Sequence, residues 1–214
     1  MKTIKLRRDS NPHYFAEIAR IHVQGIPAGF LAKMGTSFLA KFYRALADDP
    51  ECAIFAALES EDVTGFVCAT IAKKSMYRRY LLRQWPSLFV ALLPLLVQPS
   101  TYSRVLSLRR YMKSGGSEVD RYSSELLSIA VREDQHRKAI GSQLYGSLCE
   151  FYREHSVSEF VVTAAATQPK AMKFYAKMGG TPIAKTDIGG LESTVFACPT
   201  TPPRASGTAE GLAS

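Results

Sequence analysis

VREDQHRKAIGSQLYGSL, Val131–Leu148, joins two segments of different character. The residues before it, Glu125–Val131, form an apolar run that reads as a buried strand. From Ile140 onward apolar residues recur at helical spacing, with Ile140, Leu144, Leu148 and Phe151/Tyr152 on one stripe, which predicts an amphipathic helix over Ile140–Tyr152. The loop between them is polar and basic. A helix start presents unpaired amides and the positive end of the helix dipole. Gly141 has no side chain to hold an anion away from that backbone. His136, Arg137 and Lys138 add positive charge at the same place. The arrangement suits a pyrophosphate. It equally describes a solvated basic connection from strand to helix. Neither the P-loop pattern nor the three-glycine dinucleotide fingerprint is present.

Working outward, Lys2–Leu6 reads as a short strand. Asn11-Pro12 opens a helix that runs through Ile18, Ile21 and His22 towards Gly25. A second helix follows Gly35, with Thr36 or Ser37 as its cap and Phe38, Leu39, Phe42, Tyr43 and Leu46 on one face. Ala53–Leu58 and Val63–Ile71 predict an antiparallel hairpin. Beyond the opening stretch, Glu159–Thr163 reads as a strand, and Gln168-Pro169 starts a helix that closes at Gly179-Gly180. Thr181–Lys185 and Leu191–Cys198 form a last strand pair. The Pro-, Gly- and Ser-rich tail over residues 199–214 reads as disordered. The order predicts one α/β (α+β) domain over residues 1–198, with a mixed, mostly antiparallel central sheet flanked by helices.

The 214 residues are 46% apolar and 21% charged, the balance of a soluble globular protein. The basic start MKTIKLRRD has no apolar core behind it, so it does not read as a signal peptide. Cys52, Cys68, Cys149 and Cys198 are scattered and form no C-x-x-C pair, the usage of reduced core residues in a cytoplasmic protein and not of a zinc site.

The net charge of +8 is concentrated. No acid lies between Asp62 and Glu118, where Lys73, Lys74, Arg78, Arg79, Arg83, Arg104, Arg109, Arg110 and Lys113 accumulate. Such a surface suits a phosphorylated ligand, anionic lipid or nucleic acid. No RNA or DNA module motif accompanies it. Within this region SLFVALLPLLV, Ser87–Val97, is only eleven residues long and is broken by Pro94, short of the roughly 20 that a spanning helix needs. Residues 73–117 therefore read as a helical insertion packed on the body, with peripheral membrane contact as the alternative, since KKSMYRRYLLRQW flanks the apolar face.

Two segments resemble the GCN5-related N-acetyltransferase (GNAT) superfamily. Its signature is a strand ending in V-x-P followed by [QR]-x-x-G-x-[GA] at a helix start. Val131 matches the Val, His136 stands at the Gln/Arg position, Ala139 at the first Gly and Gly141 at the last position. QPKAMKFYAKMGG resembles the family's N-x-x-A-x-x-F-Y-x-x-x-G-F segment, with Gln168 at the Asn position, Ala171, Phe174, Tyr175 and Gly179 matching, and Gly180 in place of the aromatic. IARIHVQGIPAGFLAKMGTSFLAKFYRAL is similar to the family's first two helices.

The resemblance implies a GNAT-like fold and acetyl-CoA as cosubstrate. The pantetheine arm would pair with Ile129, Ala130 and Val131 as an added strand. The pyrophosphate would lie on Arg137, Lys138, Ala139, Ile140, Gly141 and Ser142, with His136 and Gln168 beside the cofactor. Tyr175 falls where relatives place the acid that protonates the departing thiolate, and Glu125 where several carry a base. Period two puts Glu125, Leu127, Ile129 and Val131 on one face of the strand. His22 reads as structural or acceptor-lining, and His13 and His155 as surface residues. Cys149 reads as a core residue, not a nucleophile. No metal is expected. The implied reaction moves an acetyl group to the primary amine of a small acceptor, such as an amino sugar. The alternative is a CoA-binding or membrane-surface interaction module with little catalysis.

Overall fold

A computed structural model describes residues 1–27, 29, 31–80, 118–136, 138–187 and 190–201. The apolar run of the insertion, Arg137 and residues 202–214 lie outside the described residues.

Chain order begins with β1 (Lys2–Lys5), α1 (Pro12–Gly25), α2 (Thr36–Leu46), β2 (Cys52–Glu59) and β3 (Asp62–Thr70). Residues 73–80 are helical and are called α3. Then come β4 (Glu125–Val131), α4 (Ile140–Glu154), β5 (Glu159–Ala165), α5 (Pro169–Lys177), β6 (Thr181–Asp187) and β7 (Glu192–Pro199). The strands form one seven-stranded sheet in the order β1-β2-β3-β4-β5-β7-β6. Every neighbouring pair is antiparallel except β4 with β5. This is the mixed, mostly antiparallel architecture expected from the sequence.

Local chemistry explains the elements. Asn11 caps α1 by accepting from the His13 amide at 3.0 Å, and Pro12 follows where no amide is needed. The expected cap of α2 is corrected: Gly35, at φ +82°, precedes the helix, and neither Thr36 nor Ser37 caps it. Only a glycine takes that backbone without strain. The hairpin turns through Ser60 and Glu61, both at positive φ, as a two-residue connection with native strand twist requires.

Two apolar cores cover the two faces of the sheet. Phe15, Ile18, Leu39, Tyr43, Phe66 and Met76 belong to the face beneath α1, α2 and α3. Val67, Leu126, Leu144, Leu148, Tyr145 and Tyr175 belong to the face beneath α4 and α5. All four cysteines are buried. β7 runs to Pro199, and the amide of Thr200 bonds Ser158 O at 2.9 Å, so the sheet and its contacts continue just past Cys198.

The insertion leaves the body between β3 and β4. At its root Lys73 N bonds Ser123 O at 2.8 Å, and Lys73 Nζ bonds Val119 O at 3.1 Å. Arg79 grips Asp49 through Nε at 2.9 Å and through Nη2 at 2.7 Å, and also pairs with Glu51, which accepts from Ser75 at 2.5 Å. Lys74 pairs with Asp120 at 3.3 Å. Of the described cations at the root, Lys74 and Arg79 are thus held by acids of the body. Among the described residues no helix is long and apolar enough to cross a membrane.

Candidate active site

The site begins where β4 and β5 part. The two strands pair at Glu125↔Val161 and Leu126↔Val162 and nowhere further. At the same point the β3–β4 register shifts: Cys68 pairs Ser128 while Ala69 pairs Leu126, leaving Leu127 as a bulge. A bulge bends its strand and increases its twist, which carries the rest of β4 away from β5.

Beyond the bulge β4 has one free edge. Arg132 N bonds Thr64 O on β3 at 2.9 Å, so the Val131 carbonyl of the same peptide points away from β3. By alternation the N–H and C=O groups of Ile129 and Val131 face the gap. The Ala130 backbone faces β3, and its side chain packs among the α1–α2 core. The last carbonyl of the free edge is already engaged: His136 Nε2 lies 3.0 Å from Val131 O, and since a carbonyl only accepts, Nε2 carries the proton.

The bulge also corrects the expected strand face. Leu127 packs with the α1–α2 core together with Ala130, whereas Ile129 and Val131 pack with the α4–α5 core. Glu125 lies opposite Thr70, in the row of the α1–α2 face. One extra residue has broken the period-two pattern, so Glu125 and Leu127 do not share a face with Ile129 and Val131.

The basic loop closes the mouth of the gap. α4 starts after Ala139, whose φ is +57°, and no side chain caps the helix. The first-turn amides around Ile140, Gly141 and Ser142 therefore lack a side-chain acceptor. A Cβ on Gly141 would meet only ordinary contacts, 3.8 Å to Phe174 and 3.9 Å to Val131, which fits a position where glycine and alanine interchange. Ala139 occupies a left-handed backbone that glycine takes more readily, at a cost of about 1 kcal/mol. Lys138 reaches Glu59 at 3.5 Å. Beside the loop Arg132 and Asp134 pair at 2.6 Å, and the guanidinium pulls the Asp134 carboxyl down to about 2.

Across the gap stands α5. Gln168, at its start, donates Nε2 to Gly25 O at 3.4 Å and so ties α5 to the end of α1. Tyr175 is buried on the α4–α5 side, with Phe174 at 5.5 Å and Phe196 at 6.1 Å between ring centres. Burial, with a smaller contribution from Cys198, pushes its phenol pKa up, so the proton is retained at neutral pH. Gly180 follows the helix because nothing larger fits: a Cβ there would lie 2.8 Å from Cys198 Sγ and 2.9 Å from Tyr175 O.

Glu125 is buried at the closed end of the gap, paired with strands on both sides. It is close enough to Lys73 to act on that ammonium, whose pKa burial lowers while Glu125 opposes the shift. Tyr175 belongs to the core beneath α4 and α5, beside Phe196 and Cys198 of β7, whereas Glu125 lies in the row of the opposite face. His22, read from sequence as structural or acceptor-lining, is buried on α1 and meets Tyr43 at 2.6 Å. Its signal was present as a lone histidine on an apolar helix face; its partners lie on other elements. Among the described residues no group of three or more His, Cys, Asp and Glu could hold a metal ion.

A sheet opened beside a helix N-terminus suits an extended ligand that ends in an anionic group. Residues 15–180 match the family model described as the acetyltransferase (GNAT) family. The chain belongs to that family and is an acyltransferase. Solved structures share the fold. An acetyltransferase of the GNAT family from Desulfovibrio desulfuricans superposes with a TM-score of 0.57 at 12% identity, over 93% of this chain and 99% of that one. An aminoglycoside 6'-acetyltransferase type Ii gives 0.58 at 13%, over 95% and 99%. The ribosomal-protein-S18-alanine N-acetyltransferase of Escherichia coli gives 0.54 at 11%, over 96% and 98%. No curated protein matches the sequence.

Proposed function

We propose that the protein moves an acetyl group from acetyl-CoA to the primary amine of a small acceptor by direct attack. The observation that carries this reading is the free edge of Ile129–Val131, which opens at the Leu127 bulge and points along the gap towards the α4 N-terminus. An extended pantetheine arm pairs with such an edge as an added strand would. The pyrophosphate then falls on the first turn of α4, with Lys138 and Arg137 supplying charge and Gln168 bracing the far side. His136, holding Val131 O, marks where strand pairing stops.

In the reaction the amine nitrogen attacks the thioester carbonyl. A C–N bond forms, the C–S bond breaks, and the electron pair leaves on sulfur. Tyr175 gives its proton to the thiolate. Glu125 takes the amine proton through water, since it lies behind the first open residue of β4. Holding both reactants in line supplies most of the acceleration. The acceptor is an amino sugar or similar small amine. The insertion root rises beside Ser123, two residues before Glu125, which suits recognition of the acceptor by that basic segment.

One observation favours the alternative of a CoA-binding module with little catalysis: the strained Ala139 at a glycine position. Thiol release from acetyl-CoA against a panel of amines separates the two. Turnover is expected in the wild type, with kcat about 100-fold lower in Tyr175→Phe and in Glu125→Gln. Full turnover in both variants would remove these assignments. CoA binding without turnover on any amine would favour the module.

A further inference from the structure

The end of α1 and the start of α5 meet beside the gap. Gly25, the last residue of α1, lies against Ala130, the middle residue of the free edge: a Cβ on Gly25 would stand 3.0 Å from the Ala130 Cβ. Any larger residue would push the helix end and the strand apart. The Gly25 carbonyl in turn accepts from Gln168 Nε2 at 3.4 Å. One residue of α1 thus touches β4 and, through Gln168, the segment that follows β5.

Local chemistry leaves both partners free for this contact. A carbonyl at the end of a helix has no further turn to bond. The amide four residues on, Gly29 N, goes instead to Ile26 O at 3.1 Å. Gln168 is fixed by its own backbone. Its amide bonds Ala165 O at the end of β5 at 2.9 Å, and its carbonyl accepts from Ala171 N in the first turn of α5 at 3.0 Å. It is the N-cap residue of α5, yet its side chain makes no cap bond. Asparagine at an N-cap turns back onto its own helix. Glutamine, one methylene longer, reaches α1. The sheet itself contributes little here, because β4 and β5 pair only at Glu125↔Val161 and Leu126↔Val162. Beyond those pairs no β5 partner fixes the distance of the free edge.

We propose that Gly25 and Gln168 are positioning residues of the transfer reaction: the Ala130–Gly25–Gln168 contacts form a strut across the gap that fixes its width where the thioester is aligned. This rests on the acetyltransferase reading. A gap of altered width still receives the pyrophosphate at α4 but misaligns the thioester against the amine.

The test uses Gln168→Leu, Gln168→Asn, Gly25→Ala and the Gln168→Leu/Gly25→Ala double variant of the intact protein, with amine acetylation kinetics, calorimetric CoA binding and thermal unfolding. Gln168→Leu keeps the bulk and removes the donor. Its kcat is expected to fall about 10-fold, with CoA affinity within about twofold. Gln168→Asn is expected to lose a similar factor in kcat while unfolding no earlier than the wild type, because the shorter amide caps α5. Gly25→Ala is expected to lower kcat likewise, and the double variant to lose less than the product of the singles, because both act on one strut. Unchanged kcat in Gln168→Leu, full turnover in Gln168→Asn, or losses that multiply in the double variant would each overturn the proposal. A tenfold or greater loss of CoA affinity in Gln168→Leu would assign the side chain to the cofactor itself and overturn it too. A wild type that acetylates no amine would remove the functional reading and this proposal with it, whereas an active wild type with unaffected variants removes the strut alone.

Discussion

Ala139 shows how much one residue can say. At φ +57° it occupies a backbone where a side chain is strained, at the start of the helix proposed to receive the pyrophosphate. Ala139→Gly is expected to raise stability by about 0.5–1 kcal/mol and to leave CoA affinity equal or better, as measured by denaturant unfolding and calorimetry. His22 carries a pH signature of its own. Its pKa is about 4 folded against 6.5 as the ordinary value, so between these the unfolded chain binds a proton that the folded one refuses. The stability from keeping it neutral is full above pH 6.5 and is lost as pH falls towards 4, by up to about 3 kcal/mol. Unfolding measured across that window is expected to show a steeper acid slope in the wild type than in His22→Asn. An identical slope would mean that other groups dominate. Tyr175 works in the opposite sense: burial raises its pKa, so its hydroxyl stays protonated at neutral pH, as the proposed acid role requires.

At the scale of elements, sequence pattern was sufficient where the determining physics is local. β4 has the expected bounds, and α4 begins at the expected Ile140, because apolar spacing and a basic loop are read along a single segment. The bulge was not legible. ELLSIAV contains no glycine or proline, and the extra residue exists only relative to the β3 register. Missing it reversed the side assigned to Ile129 and Val131 relative to Glu125. The α2 cap was misread because three adjacent residues, Gly35, Thr36 and Ser37, are all acceptable caps and only the backbone angle selects Gly35. The His22–Tyr43 contact joins α1 to α2 across 21 residues of sequence, so no motif announces it. The α5–β6 junction was read as a departure from the family pattern, and packing explains it: Gly180 bonds Tyr175 O through its amide at 2.9 Å and presses on Cys198. Gly180→Ala is expected to cost about 1–3 kcal/mol in thermal or denaturant unfolding and to lower turnover by moving Tyr175. A fully stable, fully active variant would show that the helix end can yield.

For the whole molecule, the proposed function puts two ligands at two ends of one gap. Its cofactor end lies at the α4 N-terminus. The other end lies at Glu125 and the insertion root, where Lys73, Lys74 and Arg79 are tied to the body and oriented by it. The net charge of +8 favours anionic partners in general, but these root cations are partly neutralised at home, so the sum overstates what the described surface offers. The central claim is that the gap between β4 and β5 is a CoA site built on the first turn of α4. Calorimetric titration of the intact protein with CoA tests it most directly, comparing wild type, Gly141→Ala and Gly141→Asp. The account predicts one-to-one binding in the wild type, similar binding in Gly141→Ala, where the added Cβ meets only ordinary contacts, and loss of binding in Gly141→Asp, which sets a carboxylate against the pyrophosphate. No binding by the wild type, or equal binding by Gly141→Asp, would contradict it.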